Sequence, residues 1–131
     1  MILLDTHILL WWYGDRRKLS RRVLRLLERA GSTAPAIVSC ISLWETATLY
    51  EQGRIKLRMP VRDWLEGVGA DSRFRVESIT PAVAAAVAAI PYWFHRDPAD
   101  RILVATATVL GVKLVTFDER IRESGLVPVV D

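Results

Sequence analysis

The chain predicts an α/β fold of three layers around a mostly parallel sheet, because short apolar runs alternate with helix-like segments along its 131 residues. A second observation concerns charge. Four carboxylates, Asp5, Glu45, Asp100 and Asp118, each follow a short apolar run and sit in or near the first turn of the next helix-like segment. If the runs are parallel strands of one sheet, their following loops open on the same edge, and acids scattered over the chain meet in one crevice. A third is composition: 51% hydrophobic residues and a mean hydropathy of +0.20 suffice for the continuous core of one domain spanning 1–131.

Ile2-Leu3-Leu4 forms a short buried strand, and Thr6 to Tyr13 an apolar helix that stops at Gly14. Ser20 caps the second helix, with Leu19 as its staple. Val23, Leu26 and Leu27 share its apolar face, Arg21, Arg22, Arg25 and Arg29 lie mostly on the wet side, and Gly31 closes it. Ala36 to Cys40 is the second strand, followed by a helix from about Ser42 to Gln52 that Gly53 ends. After the loop Arg54 to Met59, Pro60 opens a helix that carries Trp64 and Leu65 to about Ala70. Phe74-Arg75-Val76-Glu77 alternates as a short strand, and Thr80-Pro81 starts an Ala/Val-rich helix that ends before Pro91. The loop Pro91 to Arg96 leads to a helix from Pro98 to about Leu110. Gly111, a strand Lys113 to Thr116, a short helix from Asp118 and a last strand near Val127 to Val130 complete the chain.

The single Cys40 rules out an internal disulfide and reads as a buried, inert thiol. No segment has the form of a signal peptide, and the most apolar stretch, Ala82 to Pro91, is far short of the ~20 residues that span a bilayer. The expected location is the cytoplasm. A net charge of +3 and a pI near 9.4 come almost wholly from arginine, since Lys18, Lys56 and Lys113 are the only lysines. Guanidinium groups bind phosphate bidentately, which permits an anionic or nucleic-acid partner; biased composition explains the same charge.

Two like charges ~5 Å apart at an effective dielectric near 20 repel by roughly 3 kcal/mol, so a carboxylate cluster implies a shared proton or a hard cation that binds oxygen. With two histidines in the chain and Cys40 in an apolar run, no nitrogen and sulfur set for zinc exists, and an oxygen site favours Mg²⁺ or Mn²⁺. Each acid also has a structural explanation. Ser42-Leu43-Trp44-Glu45 matches a capping box, Asp97-Pro98-Ala99-Asp100 matches an ordinary helix start, and Asp118 and Asp5 are candidate caps. Capping accounts for an acid at a helix start but does not require those starts to share one sheet edge. Asp97 is sufficient as an N-cap and is near enough to assist Asp100 through water. Thr116 either holds Asp118 by its hydroxyl or is a plain strand threonine.

His95 reads as a loop residue before that helix, and His7 either points toward the site or packs on the first helix. Trp11, Trp12 and Tyr13 crowd a helix too short for all three to face one core, so some are exposed or covered by a partner. Tyr92-Trp93-Phe94 either stacks an unpaired base or closes the core.

Several segments taken in order resemble a known family. Met1-Ile2-Leu3-Leu4-Asp5-Thr6-His7 with Leu9-Leu10-Trp11-Trp12, then Ile41-Ser42-Leu43-Trp44-Glu45, His95-Arg96-Asp97-Pro98-Ala99-Asp100-Arg101 with Ala105-Thr106-Ala107, and Leu114-Val115-Thr116-Phe117-Asp118 are similar to the PIN-domain ribonucleases, specifically VapC-like toxins of type II toxin-antitoxin pairs. The resemblance implies a PIN-like sheet of strand order 3-2-1-4-5 and a Mg²⁺- or Mn²⁺-dependent endoribonuclease. Its acidic quartet falls on Asp5, Glu45, Asp100 and Asp118, with Asp118 the most variable position and Thr6 and Thr116 as polar supporters. It further implies a homodimer and a cognate antitoxin whose tail crosses the first helices, with Trp11 and Trp12 exposed beneath it. Arg96 and Arg101 are placed to hold flanking RNA phosphates, Arg101 also to pair with an acid on its own helix.

Two rival readings differ in chemistry. A phosphoryl-transfer domain with Asp5 as nucleophile needs a lysine near the site, and Lys113 begins its strand at the wrong end. A non-catalytic dimeric binding module would use the acidic pocket to capture an arginine or lysine of a partner peptide.

Overall fold

The computed structural model describes residues 1–31 and 33–131. The strands β1 (Ile2–Leu4), β2 (Ala36–Ser39), β3 (Phe74–Glu77), β4 (Lys113–Val115) and β5 (Val129–Val130) form one sheet in the order β3-β2-β1-β4-β5. Every neighbouring pair is parallel, so the sheet is wholly rather than mostly parallel. The helices are α1 (Thr6–Tyr13), α2 (Arg21–Arg29), α3 (Cys40–Glu51), α4 (Val61–Ala70), α5 (Pro81–Ala88), α6 (Pro98–Leu110) and α7 (Glu119–Ser124). Among the described residues, no helix is long and apolar enough to cross a membrane.

Period-two alternation assigns each strand residue to a face. Leu4, Val38 and Val115 point to one side, where Ile8, Leu9 and Trp12 of α1, Val23 and Leu27 of α2, and Trp64 and Val68 of α4 cover them. Leu3, Ile37 and Leu114 point to the other, against Leu103, Val104 and Ala107 of α6, Ile121 of α7 and the loop residue Phe94. Both faces are therefore dry, with each fully buried aliphatic side chain contributing about 1.5–3 kcal/mol relative to exposure. Helix α5 packs chiefly on α6.

Strand register gathers the polar residues at one edge of the sheet. Leu4 is level with Val38 on one side and Val115 on the other. The residues immediately after them, Asp5, Ser39 and Thr116, consequently stand together at the carboxyl edge, where the Asp5 backbone N–H donates to the Val115 carbonyl at 2.9 Å. Gly111 holds φ +65°, the left-handed conformation that ends α6 and turns the chain into β4. By the same register Lys113 pairs with Ile2, at the edge opposite Asp5, where it has no access to that carboxylate.

The start of α3 differs from expectation. Ser39, not Ser42, is the N-cap, its hydroxyl accepting from the Ile41 N–H at 3.1 Å. Helical geometry begins at Cys40, which leaves that thiol half-buried rather than enclosed. Ser42 lies inside the helix, fully buried, and accepts a hydrogen bond from Thr6 Oγ1 at 2.8 Å. The capping-box reading of Glu45 fails with it, because Glu45 stands beyond the first turn.

Trp12 corrects another expectation. It is 4% exposed, packed in the core, with the guanidinium groups of Arg16 and Arg73 over its ring at 3.7 and 4.9 Å. Ile8, Leu9 and Trp12 share the inward stripe of α1, which leaves Trp11 half-buried at its border. Arg73 in turn donates to the Leu27 and Ala30 carbonyls at the end of α2. Trp12→Ala is expected to cost about 3–5 kcal/mol, the usual range for deleting a buried aromatic, and Trp11→Ala clearly less. Urea denaturation of both variants checks the ranking; equal losses would contradict this placement.

Candidate functional site

Asp5 occupies the N-cap position of α1 but makes no side-chain capping hydrogen bond. Its carboxylate is turned into the crevice, 8% exposed, and takes the Thr116 hydroxyl at 2.6 Å. Burial drives its pKa above the ordinary range; the Thr116 hydrogen bond works against that rise, and the charge of Asp118 adds to it. Thr116 is itself fully buried and accepts from the Asp118 backbone N–H at 3.0 Å. The threonine therefore orients Asp5 by side chain and Asp118 by backbone, where the sequence suggested only a link to Asp118.

The other acids converge on the same place. Asp97 caps α6, its carboxylate accepting from the Ala99 N–H at 2.9 Å, and Asp118 caps α7 through the Ile121 N–H at 3.1 Å. Both capping expectations hold. Asp100, one turn into α6, is 8% exposed. Burial pushes its carboxyl up to about 8, reinforced by the charges of Asp5, Asp97, Asp118 and Glu45. One buried group thus senses all the others. Glu45 is half-buried and also raised, by burial first and by Asp5 and Asp97, with Thr6 pulling it down.

Two residues join this site that the sequence did not single out for it. His95, read as an ordinary loop residue, places Nε2 3.1 Å from Asp100 Oδ2, without the alignment of a hydrogen bond, and both ring nitrogens are buried without another partner. Burial first, then the charge of Arg120, lowers its pKa, which favours the neutral imidazole. One ligand atom each from His95, Asp100 and Asp118 lies within 4.8 Å of the others. Arg120 spans the second pair, its Nη2 3.5 Å from Asp118 Oδ2 and 3.9 Å from Asp100 Oδ2. Its position two residues after the Asp118 cap was the available signal; for His95 it was the two-residue spacing to the Asp97 cap.

The arginines expected to hold phosphate separate. Arg96 is exposed beside a cavity of ≈580 Å³ with Tyr92 and Pro98. Arg101 lines the same cavity, but its Nη1 donates to the Phe94 and His95 carbonyls, each at 3.2 Å, rather than to an acid on α6. It fixes the loop that carries His95. His7 and Trp11 line a ≈240 Å³ cavity with Asp5 and Asp118, and Trp11 stacks on Phe117 with ring centroids 5.9 Å apart.

Do these residues suit a divalent cation? Clustered carboxylate oxygens, two of them buried among like charges, and an imidazole with orphaned nitrogens form a donor set that a hard or borderline cation satisfies. The imidazole widens the choice beyond the oxygen-only set read from sequence.

A wholly parallel sheet with acids gathered at its carboxyl edge defines a three-layer α/β domain with an acidic cleft. The chain belongs to the PIN domain family, whose profile matches residues 2–125. It is 42% identical over 121 residues to Ribonuclease VapC22 of Mycobacterium tuberculosis, covering 92% of this chain and 89% of that protein. Among solved structures, VapBC2 of Rickettsia felis bound to a promoter DNA fragment superposes with a TM-score of 0.73 at 15% identity, over 99% of this chain and 98% of that one. DNA-bound VapBC of Salmonella typhimurium gives 0.73 at 18%, over 99% and 96%.

The Asp100 carboxyl predicts a stability profile. Its folded value near 8 exceeds the ordinary 3.8, so the folded chain binds this proton more tightly than the unfolded chain does. The contribution is complete below about pH 4 and is lost as pH rises through about 8. In chelator, the melting temperature is expected to carry this downward component between those limits, and excess Mn²⁺ to suppress it. Identical profiles with and without the cation would contradict the proposed donor set.

Proposed function

We propose that this chain is a metal-dependent endoribonuclease, the toxin of a type II toxin-antitoxin pair, which hydrolyses RNA phosphodiester bonds with a metal-activated water. The observation that carries it is Asp5: a buried carboxylate, brought level with Thr116 by strand register, whose pKa burial still raises against the opposing pull of Thr116 and His7. The 42% identical relative bears the name of a ribonuclease.

In this reading Asp5, Asp100, Asp118 and Glu45 hold Mg²⁺ or Mn²⁺, with His95 beside them and Thr6, Thr116 and Asp97 as support. The bound ion supplies polarisation of the phosphoryl oxygens and a water of lowered pKa. Thr116 keeps Asp5 oriented, and the buried floor excludes bulk water, which strengthens every charge interaction above it. Glu45, whose proton affinity is raised by burial, would accept a proton at the carboxylate oxygen left free when it helps hold the ion. Arg96 binds a flanking phosphate from the rim, and Arg101 positions the His95 loop. Products carry a 3′-hydroxyl and a 5′-phosphate.

The reading includes a homodimer in the cytoplasm and a cognate antitoxin. A ≈380 Å³ groove between α1 and the segment Arg54–Met59 shares His7 and Trp11 with the cavity beside Asp5 and Asp118. A partner segment lying in that groove would reach the acids directly.

Asp5→Asn is expected to lower cleavage of total RNA in Mn²⁺ by about a hundred- to a thousand-fold, the scale of losing a group that stabilises developing charge, while the far-ultraviolet circular dichroism spectrum stays unchanged. Undiminished cleavage by the folded variant would refute the assignment.

A further inference from the structure

We propose that the pocket beside His95, lined by Trp93, Phe94, His95, Arg120, Glu123 and Ser124, is a subsite for an unpaired nucleotide flanking the cleaved phosphodiester, with Trp93 as the stacking face for its base and Arg120 as the contact for its phosphate. This rests on the nuclease reading above and adds to it that the substrate is single-stranded at that position.

The aromatic run before α6 divides its labour. Phe94 is 3% exposed and anchors the loop in the core, whereas Trp93 is 57% exposed. Trp93 meets Phe94 edge-on, with centroids 6.5 Å apart and planes at 81°, so Phe94 does not stack on the broad faces of the indole. Beneath it the backbone is tied down, because Arg101 holds the Phe94 and His95 carbonyls and the Phe94 and His95 rings lie 4.4 Å apart. An exposed aromatic on a fixed loop loses little entropy on capturing a flat ligand, and every nucleobase offers a π-face.

Charge gives the subsite its polarity. Arg120 is 61% exposed and reaches Asp118 and Asp100 from the pocket wall, so its guanidinium stands between the acidic cluster and the pocket. A phosphate entering there meets a planar fork able to bind two oxygens. Glu123 lines the same pocket and repels a second phosphate, which leaves the base for the Trp93 side. The volume, ≈300 Å³, is at the low end for ligand cavities and suits one nucleotide, not a duplex.

The test uses the full chain carrying Asp5→Asn, so that RNA binds without being cut, and a fluorescein-labelled single-stranded RNA oligonucleotide as probe, alone or annealed to its complement. Trp93→Ala is expected to weaken single-strand binding about ten-fold or more, the usual effect of losing one base stack, Trp93→Phe to restore most of it, and duplex binding to stay weak and unchanged. Arg120→Gln is expected to lower the salt dependence of binding by about one phosphate contact, a slope change near 0.7. Unchanged affinity in Trp93→Ala would overturn the subsite. So would an equal loss from Trp44→Ala, which removes a similarly exposed indole on α3, or loss of protein association with RNA binding intact, which would give this surface to a protein partner. Failure of the nuclease reading looks different: the unsubstituted chain cleaves no RNA in Mn²⁺, whereas failure of the subsite alone leaves cleavage intact and its KM unmoved by Trp93→Ala.

Discussion

A carboxylate taken out of water needs partners, and the side-chain partner of Asp5 is the Thr116 hydroxyl. The hydrogen bond from Thr116 exists because β1 and β4 run parallel with Leu4 level with Val115, which sets the next residue of each strand side by side. Shift either strand by one residue and its side chains exchange faces: the core loses Leu4 or Val115, and Asp5 loses its orienting group. The forces that specify the sheet are therefore the forces that aim the site. Burial of the alternating apolar residues sets the register, and the register delivers the acid.

Asp97, Asp100 and Asp118 arrive by a different route, at the starts of helices whose caps are satisfied locally, while Glu45 stands further along α3. Asp97 and Asp118 are each engaged with a backbone N–H, which gives them a stabilising role independent of any ligand. Asp5 and Asp100 have no such duty, and their burial among like charges raises the proton affinity of both. A fold selected for stability alone would place apolar residues at these two positions. Acids in so unfavourable a setting are what the proposed cation would account for. Arg120 partly relieves the strain from the rim, where exposure to solvent screens its charge.

The architecture was readable because its signals are local. Apolar runs, glycine stops, and proline or serine at helix starts depend on a few neighbouring residues, and few connection rules then dictate the parallel order. The convergence of the acids was readable for the same reason, through the shared edge of parallel strands. What escaped depends on long side chains and on one-residue choices between competing caps. Ser39 and Ser42 are equally good caps by type; burial of Ser42 against Thr6 decided between them. Trp12 was within reach, since its spacing from Ile8 and Leu9 places it on their stripe, but the neighbouring Trp11 and Tyr13 obscured the periodicity. His95 is positioned by Phe94 plunging into the core and by Arg101 clamping two carbonyls, neither of which has a sequence signature.

The bond between Asp5 and Thr116 joins residues 111 positions apart. During translation the first acid leaves the ribosome long before the strand that completes its setting, and Asp118 emerges later still. A nascent chain thus carries an unfinished cleft until β4 and the start of α7 have emerged. In the proposed nuclease, a chain cut short before β4 would lack both Thr116 and Asp118, and its cleft would stay incomplete.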